Sequence, residues 1–313
     1  MRALRAPGVS LFRAYGRVLN LPQTFTPHSH FTTSQLQLRI LFYLLPVPWY
    51  LSRRRMALTG GTLRSLSLEI FTPRSTKGID DLLASGGRLA AYAALGPSLV
   101  SVNGPGLQIL EHVRATHSIR PQMQISRPEV TLDSIESMLD SAMGVGVRDV
   151  LILGGQPGQR TAPGAFSSVL DLVRCIKERC GERMRVSVCG YPRGACGELG
   201  EYDADLQALA LQVAAGAELV VSLPCFDAET HSEFAADARA AGVRCPIVPG
   251  LLPVGSVAAD FRRICRAIAV EVPKWLDDQL LATSTSECAC LPPMAFGCRG
   301  CPQMRTISIP PSL

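Results

Sequence analysis

The sequence predicts an α/β fold, a (β/α)₈ TIM barrel whose last strand is missing or replaced. Three observations predict it. Short β-rich runs alternate with amphipathic helical stretches from about residue 67 onward, and strands separated by helices are joined as parallel βαβ units. Several runs are continuously apolar, as strands covered on both faces are. Roughly seven such runs fall in about 180 residues, which suits a barrel better than an open sheet. No strand leads into a GxGxxG turn, which argues against a dinucleotide-binding open sheet.

The expected strands, in order, are 67–71, 99–103, 122–126, 149–153, 185–189, 219–223 and 246–248. Thr131 caps an expected helix running to Met143, with Leu132, Ile135, Met138, Leu139 and Ala142 on one face and Gly144 as its stop. The pattern repeats over 166–180, ending at Gly181. It repeats again over 203–215 and 228–241, ending at Gly216 and Gly242.

The charge distribution divides the chain. The first 68 residues hold nine Arg and no Lys, Asp or Glu, and all 26 carboxylates lie from Glu69 onward. Residues 1–65 therefore read as a basic leader, 66–287 as the barrel and 288–313 as an atypical Cys-rich tail. Arg2, Arg5, Arg13 and Arg17, interspersed with Leu4, Leu11, Phe12, Val18 and Leu19, suit a mitochondrial transit peptide. Read-through of untranslated sequence and a membrane-surface anchor remain open alternatives. The protein is then mitochondrial if the leader is real and cytoplasmic otherwise. The apolar run 40–51 is too short to span a bilayer and carries Pro46 and Pro48, so no transmembrane span is expected. All 11 Cys lie at or after Cys175, and seven of them sit in apolar surroundings, as buried reduced thiols do. Basic and aromatic residues are not interleaved as nucleic-acid binding requires.

Chemistry in a (β/α)₈ barrel gathers at the C-terminal ends of the strands. Those ends present Glu69, Asn103, Gln122, the 154–156 loop, 190–193, 224–227 and 249–253, a polar and Gly/Pro-rich set.

These ends carry a resemblance. LEIFTPR (68–74) resembles the FEFFPPR-type first strand of the methylenetetrahydrofolate reductase family. GVRDVLILGGQPG (146–158) is similar to the strand leading into that family's R-G-D loop, and VSVCGYP (186–192) to its VAAYPE strand. AGAELVVSLPCFDAETHSEF (215–234) resembles its AGA…TQFFFD segment, AGVRCPIVPGLLPV (241–254) its AGI…IIPGILPV, and VPKWL (272–276) its IPAWM. The likeness covers about 66–278.

The resemblance implies a flavoprotein oxidoreductase of one-carbon metabolism, with roles in tetrahydrofolate interconversion and methionine biosynthesis. It implies hydride transfer from NAD(P)H through FAD to 5,10-methylenetetrahydrofolate, giving 5-methyltetrahydrofolate. Glu69 matches the family's acid, which protonates the bridged folate so that its ring opens to an iminium. The plainer reading of Glu69 is a strand-end carboxylate paired with Arg74. The resemblance assigns the cofactor to Asn103, Gln122, Leu153, Gly154, Gly155, Gln156, Tyr191, Arg193 and Gln212. It assigns the folate to Gln156, Leu223 and Asp227. Partners beyond the folate are not implied, and a homo-oligomer is left open.

Several of these positions depart from the family pattern. The R-G-D loop reads Gly154, Gly155, Gln156. The strand-three His is Gln122, the Lys before AGA is Gln212, and the strand-six Gln is Leu223. The Glu and His that follow Tyr-Pro are Arg193 and Ala195. Lost charge-assisted bonds, each worth about 1.5–3 kcal/mol, predict FAD that is weakly held or absent. Arg193 and the amides of Gly154 and Gly155 are the expected compensators. The alternatives are a flavin-independent reductase of the same family, with direct hydride transfer from the nicotinamide, or a non-catalytic folate-binding paralogue.

After residue 282 the family's final helix and strand are replaced by a different sequence, in which 306–309 is the one β-like run. No metal site is expected. Cys288, Cys290, Cys298 and Cys301 form a weak zinc candidate, because C-x-C is tight for a knuckle.

Overall fold

The computed structural model describes residues 37–42, 57–58, 61–62 and, a few loop positions apart, 65–285. Every strand run expected from the sequence is present: β4 (Ser65–Ile70), β5 (Leu99–Val102), β6 (Arg120–Ser126), β7 (Asp149–Leu153), β8 (Arg185–Gly190), β9 (Leu219–Pro224) and β10 (Ile247–Leu251). Each pairs in parallel with its sequence neighbour, and the whole closes into an eight-stranded barrel.

The eighth strand comes from an unexpected place. β1 (Gln37–Phe42) lies inside the segment assigned above to the leader, yet it fills the gap between β4 and β10. It pairs with β4 along its full length, Gln37 with Ser65 through Phe42 with Ile70. It meets β10 at Arg39 with Gly250 and Ile40 with Leu251. A seven-stranded arc leaves two unpaired backbone edges, and any β-capable run able to reach them can satisfy both. The run 306–309, the other candidate for this position, lies outside the described residues. Between β1 and β4 runs a small antiparallel ribbon, β2 (Ala57–Leu58) with β3 (Gly61–Thr62).

Helices cover the outside of the barrel: α1 (Thr76–Leu83), α2 (Arg88–Ala93), α3 (Leu107–His117), α4 (Leu132–Gly144), α5 (Val169–Cys180), α6 (Tyr202–Ala214), α7 (Ala228–Ala240), α8 (Ala258–Ala267) and α9 (Lys274–Thr285). Their starts follow local chemistry. Thr131 and Ser134 form a reciprocal capping box on α4, and Ser168 caps α5 through the Asp171 N–H. The chain leaves α4 at Gly146 (φ +84°), two residues beyond the expected stop, because that is where the left-handed turn falls.

Period two along the strands sorts the side chains. Leu68, Ile70, Val100, Val102, Ile125, Val150, Ile152, Val188 and Val220 face outward. They pack with Ile109, Ile135, Leu139, Val173, Leu209 and Phe234 from the helices in one buried layer. Each such side chain contributes about 1.5–3 kcal/mol when fully buried. A second cluster, Leu252, Phe261, Ile264, Cys265, Leu276 and Leu280, seats α8 and α9. At the N-terminal ends of the strands, Asp149 is held by Arg185 (2.9 and 2.8 Å) and Arg120 (3.2 Å), which neutralises a carboxylate that would otherwise be buried alone.

Candidate active site

The inward positions of the strands form two unlike walls. On β4, β5 and β6 they are polar: Glu69, Ser101, Gln122 and Gln124, all buried. On β7, β8 and β9 they are mostly apolar, Asp149 and Ser187 near the N-terminal ends excepted: Leu151, Cys189 and Val221 are in contact, with Leu153, Leu219 and Tyr191 packed against them. The two walls meet in the packed interior of the barrel, so polar and apolar side chains face each other there.

The polar wall is cross-linked. Gln124 Nε2 donates to Ser101 Oγ at 3.1 Å on the neighbouring strand, and Gln122 Nε2 donates to Ser187 Oγ at 3.4 Å two strands away. Glu69 is 7% exposed, with Leu41 on β1 and Ser101 on β5 as its register partners. The sequence motifs single out Glu69 and Gln122 but not Ser101, Gln124 or Ser187. The signal for these was present as strict alternation in 122–126, Gln-Met-Gln-Ile-Ser, whose apolar members must face the helices.

The loops above the barrel are tied to one another. Arg127, just after β6, donates from Nε to Gly154 O (3.0 Å) and from Nη1 to Phe166 O (3.1 Å). This pins the loop after β7 and the approach to α5. Gly155 in that loop adopts φ +89°, and a side chain there would meet the ring of Pro128. Gly250 closes the other side. A Cβ at that position would overlap the Ser222 carbonyl oxygen, and the β9–β10 register shifts at the same point.

The structure brings some of the expected site residues together and places others elsewhere. Glu69, Leu153 and Tyr191 line the interior or its mouth, Gly154 and Gly155 form the loop above, and Leu223 lies at the C-terminal end of β9. Gln122, expected at a strand's C-terminal end, is inward but near the N-terminal start of β6, in register with Asp149, because the strand begins two residues earlier and runs on to Ser126. Arg193 does not reach into the mouth. Its guanidinium lies 4.0 Å over the ring of Tyr202 on α6 and 3.8 Å from Asp237 on α7, so stacking and charge hold it on the helical layer. Gln212 is buried near the end of α6, about 15 Å along the helix from its mouth-side start. Asp227 caps α7, taking Thr230 N at 2.7 Å and Thr230 Oγ1 at 3.0 Å, so both carboxylate oxygens have local work. Asn103, Gln156, Arg74 and the four tail cysteines lie outside the described residues. Among the described residues, no group of three or more His, Cys, Asp or Glu is placed to hold a metal ion, and no helix is long and apolar enough to cross a membrane.

Burial also sets two titrating groups near the C-terminal end of β9. The Cys225 thiol is pushed up to about 12 by desolvation, which keeps it protonated and unreactive. Desolvation holds the His231 imidazole below its ordinary range, favouring the neutral ring.

The sequence profile described as methylenetetrahydrofolate reductase matches residues 55–289, well over half of the chain. The chain belongs to that family. Methylenetetrahydrofolate reductase (NADH) 1 of Arabidopsis thaliana is 27% identical over 67% of this chain, and its counterpart in Zea mays is 30% identical over 63%. The chain covers only 38% and 36% of those two proteins. The 5,10-methylenetetrahydrofolate reductase of Pectobacterium carotovorum is 28% identical over 68% of this chain and 71% of its own length. Among solved structures, a deoxyribose phosphate aldolase of Aeropyrum pernix is 14% identical, covering 65% of this chain and 81% of that one at a TM-score of 0.40. The methylenetetrahydrofolate reductase match begins after β1 ends, so β4 to β10 belong to the family region and the strand that completes the barrel lies outside it.

Proposed function

We propose that the chain is a methylenetetrahydrofolate reductase-type oxidoreductase, converting 5,10-methylenetetrahydrofolate to 5-methyltetrahydrofolate with NAD(P)H. The observation that carries the reading is Glu69, a carboxyl enclosed in the barrel interior on the strand where the family resemblance places the acid. In the proposed step, the Glu69 carboxyl gives its proton to a nitrogen of the bridging five-membered ring. The carbon–nitrogen bond breaks toward that nitrogen, and the methylene carbon is left as an iminium on the other. The iminium carbon then takes a hydride and becomes methyl, while NAD(P)H becomes NAD(P)⁺. Leu151, Leu153 and Tyr191 offer the flat pterin an apolar wall opposite the proton donor.

The described residues do not fit a flavin diphosphate well. Of the positions expected to hold it, Arg193 is engaged by Tyr202 and Asp237, and Gln212 is uncharged and toward the far end of the barrel. Arg127 directs two of its donors at loop carbonyls. This favours the flavin-independent route, with hydride passing directly from the nicotinamide. Mitochondrial import through the basic leader remains part of the proposal, with processing N-terminal to Gln37 so that β1 is retained.

The test is Glu69→Gln in the full chain, assayed for NAD(P)H-dependent folate reduction. Loss of at least 100-fold with the fold retained is expected, in line with removal of a general acid. Near-unchanged turnover would sink the assignment of Glu69. Absence of folate turnover in the unaltered protein, together with measurable folate binding, would favour a non-catalytic paralogue.

A further inference from the structure

The polar wall holds an unmet demand that the proposed chemistry has not used. Gln124 is 3% exposed, its Nε2 is taken by Ser101 Oγ, and its Oε1 is buried with no hydrogen-bond partner among the described residues. A buried amide oxygen without a donor is costly, so the site calls for a donor that is present in the working protein.

The barrel register identifies it. From Gln122 on β6, the register partners are Asp149 on β7 and then Arg185 on β8, and two residues further on is Ser187. That relation brings Gln122 Nε2 to 3.4 Å from Ser187 Oγ. The identical relation starting from Glu69 passes through Ser101 and Gln122 and arrives at Gln124. Interior layers of such a barrel take one side chain from every second strand. Carried around, this layer holds Glu69, Gln124, Cys189 and Gly250. Gly250 supplies no side chain and Cys189 a short one, so the two long side chains share the centre.

We infer that Gln124 is a positioning residue for Glu69, its Oε1 accepting a hydrogen bond from the protonated Glu69 carboxyl. Ser101, between the two strands, takes the amide nitrogen at 3.1 Å, which leaves the oxygen toward the acid. An acceptor favours the form that still carries its proton, and an amide N–H in the same place would favour the carboxylate. The arrangement rests on the reading of Glu69 as proton donor. Other titrating or charged groups facing this space are few among the described residues. They are the Cys189 thiol in the same layer, the Tyr191 phenol packed beside it toward the mouth and, at the opposite end of the barrel, Asp149 in its clamp with Arg185 and Arg120.

The experiment is a double-mutant cycle on the full chain, read by thermal melting near neutral pH, with Glu69→Gln, Gln124→Leu and the pair. Glu69→Gln installs a permanent N–H donor, so it is expected to raise the melting temperature by about 2–4 °C where Gln124 is present. It should do nothing in the Gln124→Leu background. Gln124→Met serves as the second background if the leucine variant fails to fold. Equal shifts in both backgrounds overturn the proposal. A loss of stability confined to the Gln124 background also overturns it, because the amide would then be serving the ionised carboxylate. A second readout is the alkaline limb of the pH–rate profile for folate reduction, which should move to lower pH in Gln124→Leu; an unmoved limb counts against the proposal. The melting cycle requires no turnover. Coupling in the cycle with folate reduction intact in Glu69→Gln would refute the proton-donor reading while the hydrogen bond stands.

Discussion

Leu41 on β1 and Glu69 on β4 are register partners across the seam that closes the barrel. The strand carrying the candidate acid is therefore flanked on one side by a segment outside the family match. A chain starting at Met56 loses that flank and leaves β4 and β10 as open edges. Its melting temperature should fall, and it should self-associate at concentrations where the full chain does not. Proline at Arg39 or Leu41 should reproduce part of the loss, by a few kcal/mol at about 1 kcal/mol per broken hydrogen bond. A truncated chain with an unchanged melting temperature would show that β1 does not close the barrel in solution.

Arg193 is held by Tyr202, and this separates two views of the cofactor. If its task is the helical layer, Arg193→Ala lowers stability by about 0.5–1 kcal/mol and leaves NAD(P)H affinity unchanged. The unaltered protein should also carry no stoichiometric FAD after dialysis, measured by its visible absorbance. Firmly bound flavin that disappears in Arg193→Ala would return this side chain to the mouth.

His231 makes stability depend on pH. Its folded imidazole is held below the ordinary value by desolvation, and its buried Nδ1 has no hydrogen-bond partner among the described residues. The neutral ring is the folded form. Its contribution is therefore complete above about pH 6.5 and is lost as pH falls through that value toward the lower folded one. Melting curves between about pH 7.5 and about pH 5, which bracket the ordinary histidine value, should show a decline that His231→Gln reduces. Parallel declines in both proteins would assign the effect elsewhere.

At Gly250 the backbone of β9 stands where a methyl group would go. Neither strand can withdraw without breaking the ladder, so Gly250→Ala should cost about 1–3 kcal/mol by overpacking. Denaturant midpoints would report it, and folate turnover should fall with them because the shift lies at the mouth. A midpoint equal to that of the unaltered protein would show that the β9–β10 junction is looser than the register implies.

Much of the architecture could be read from local pattern. The runs that became β4 to β10, and the helix faces built on Ile135, Val173 and Leu209, are period-two and period-3.6 signals that need no knowledge of distant residues. Glu69 stood out because a strand end in such a barrel is a catalytic position and because its motif resembles that of a known family. The polar wall was half visible: alternation in 122–126 marks Gln124 as inward, but only the register reveals that it shares a layer with Glu69. Tertiary structure alone decided three things. It brought β1 into the eighth position, because strand pairing is made by backbone groups that carry no side-chain signature. It turned Arg193 onto Tyr202 and Asp237, partners contributed by two different helices. It also left Gln124 with an unsatisfied oxygen, because the stagger of a closed barrel, rather than distance along the chain, determines which side chains meet at its centre.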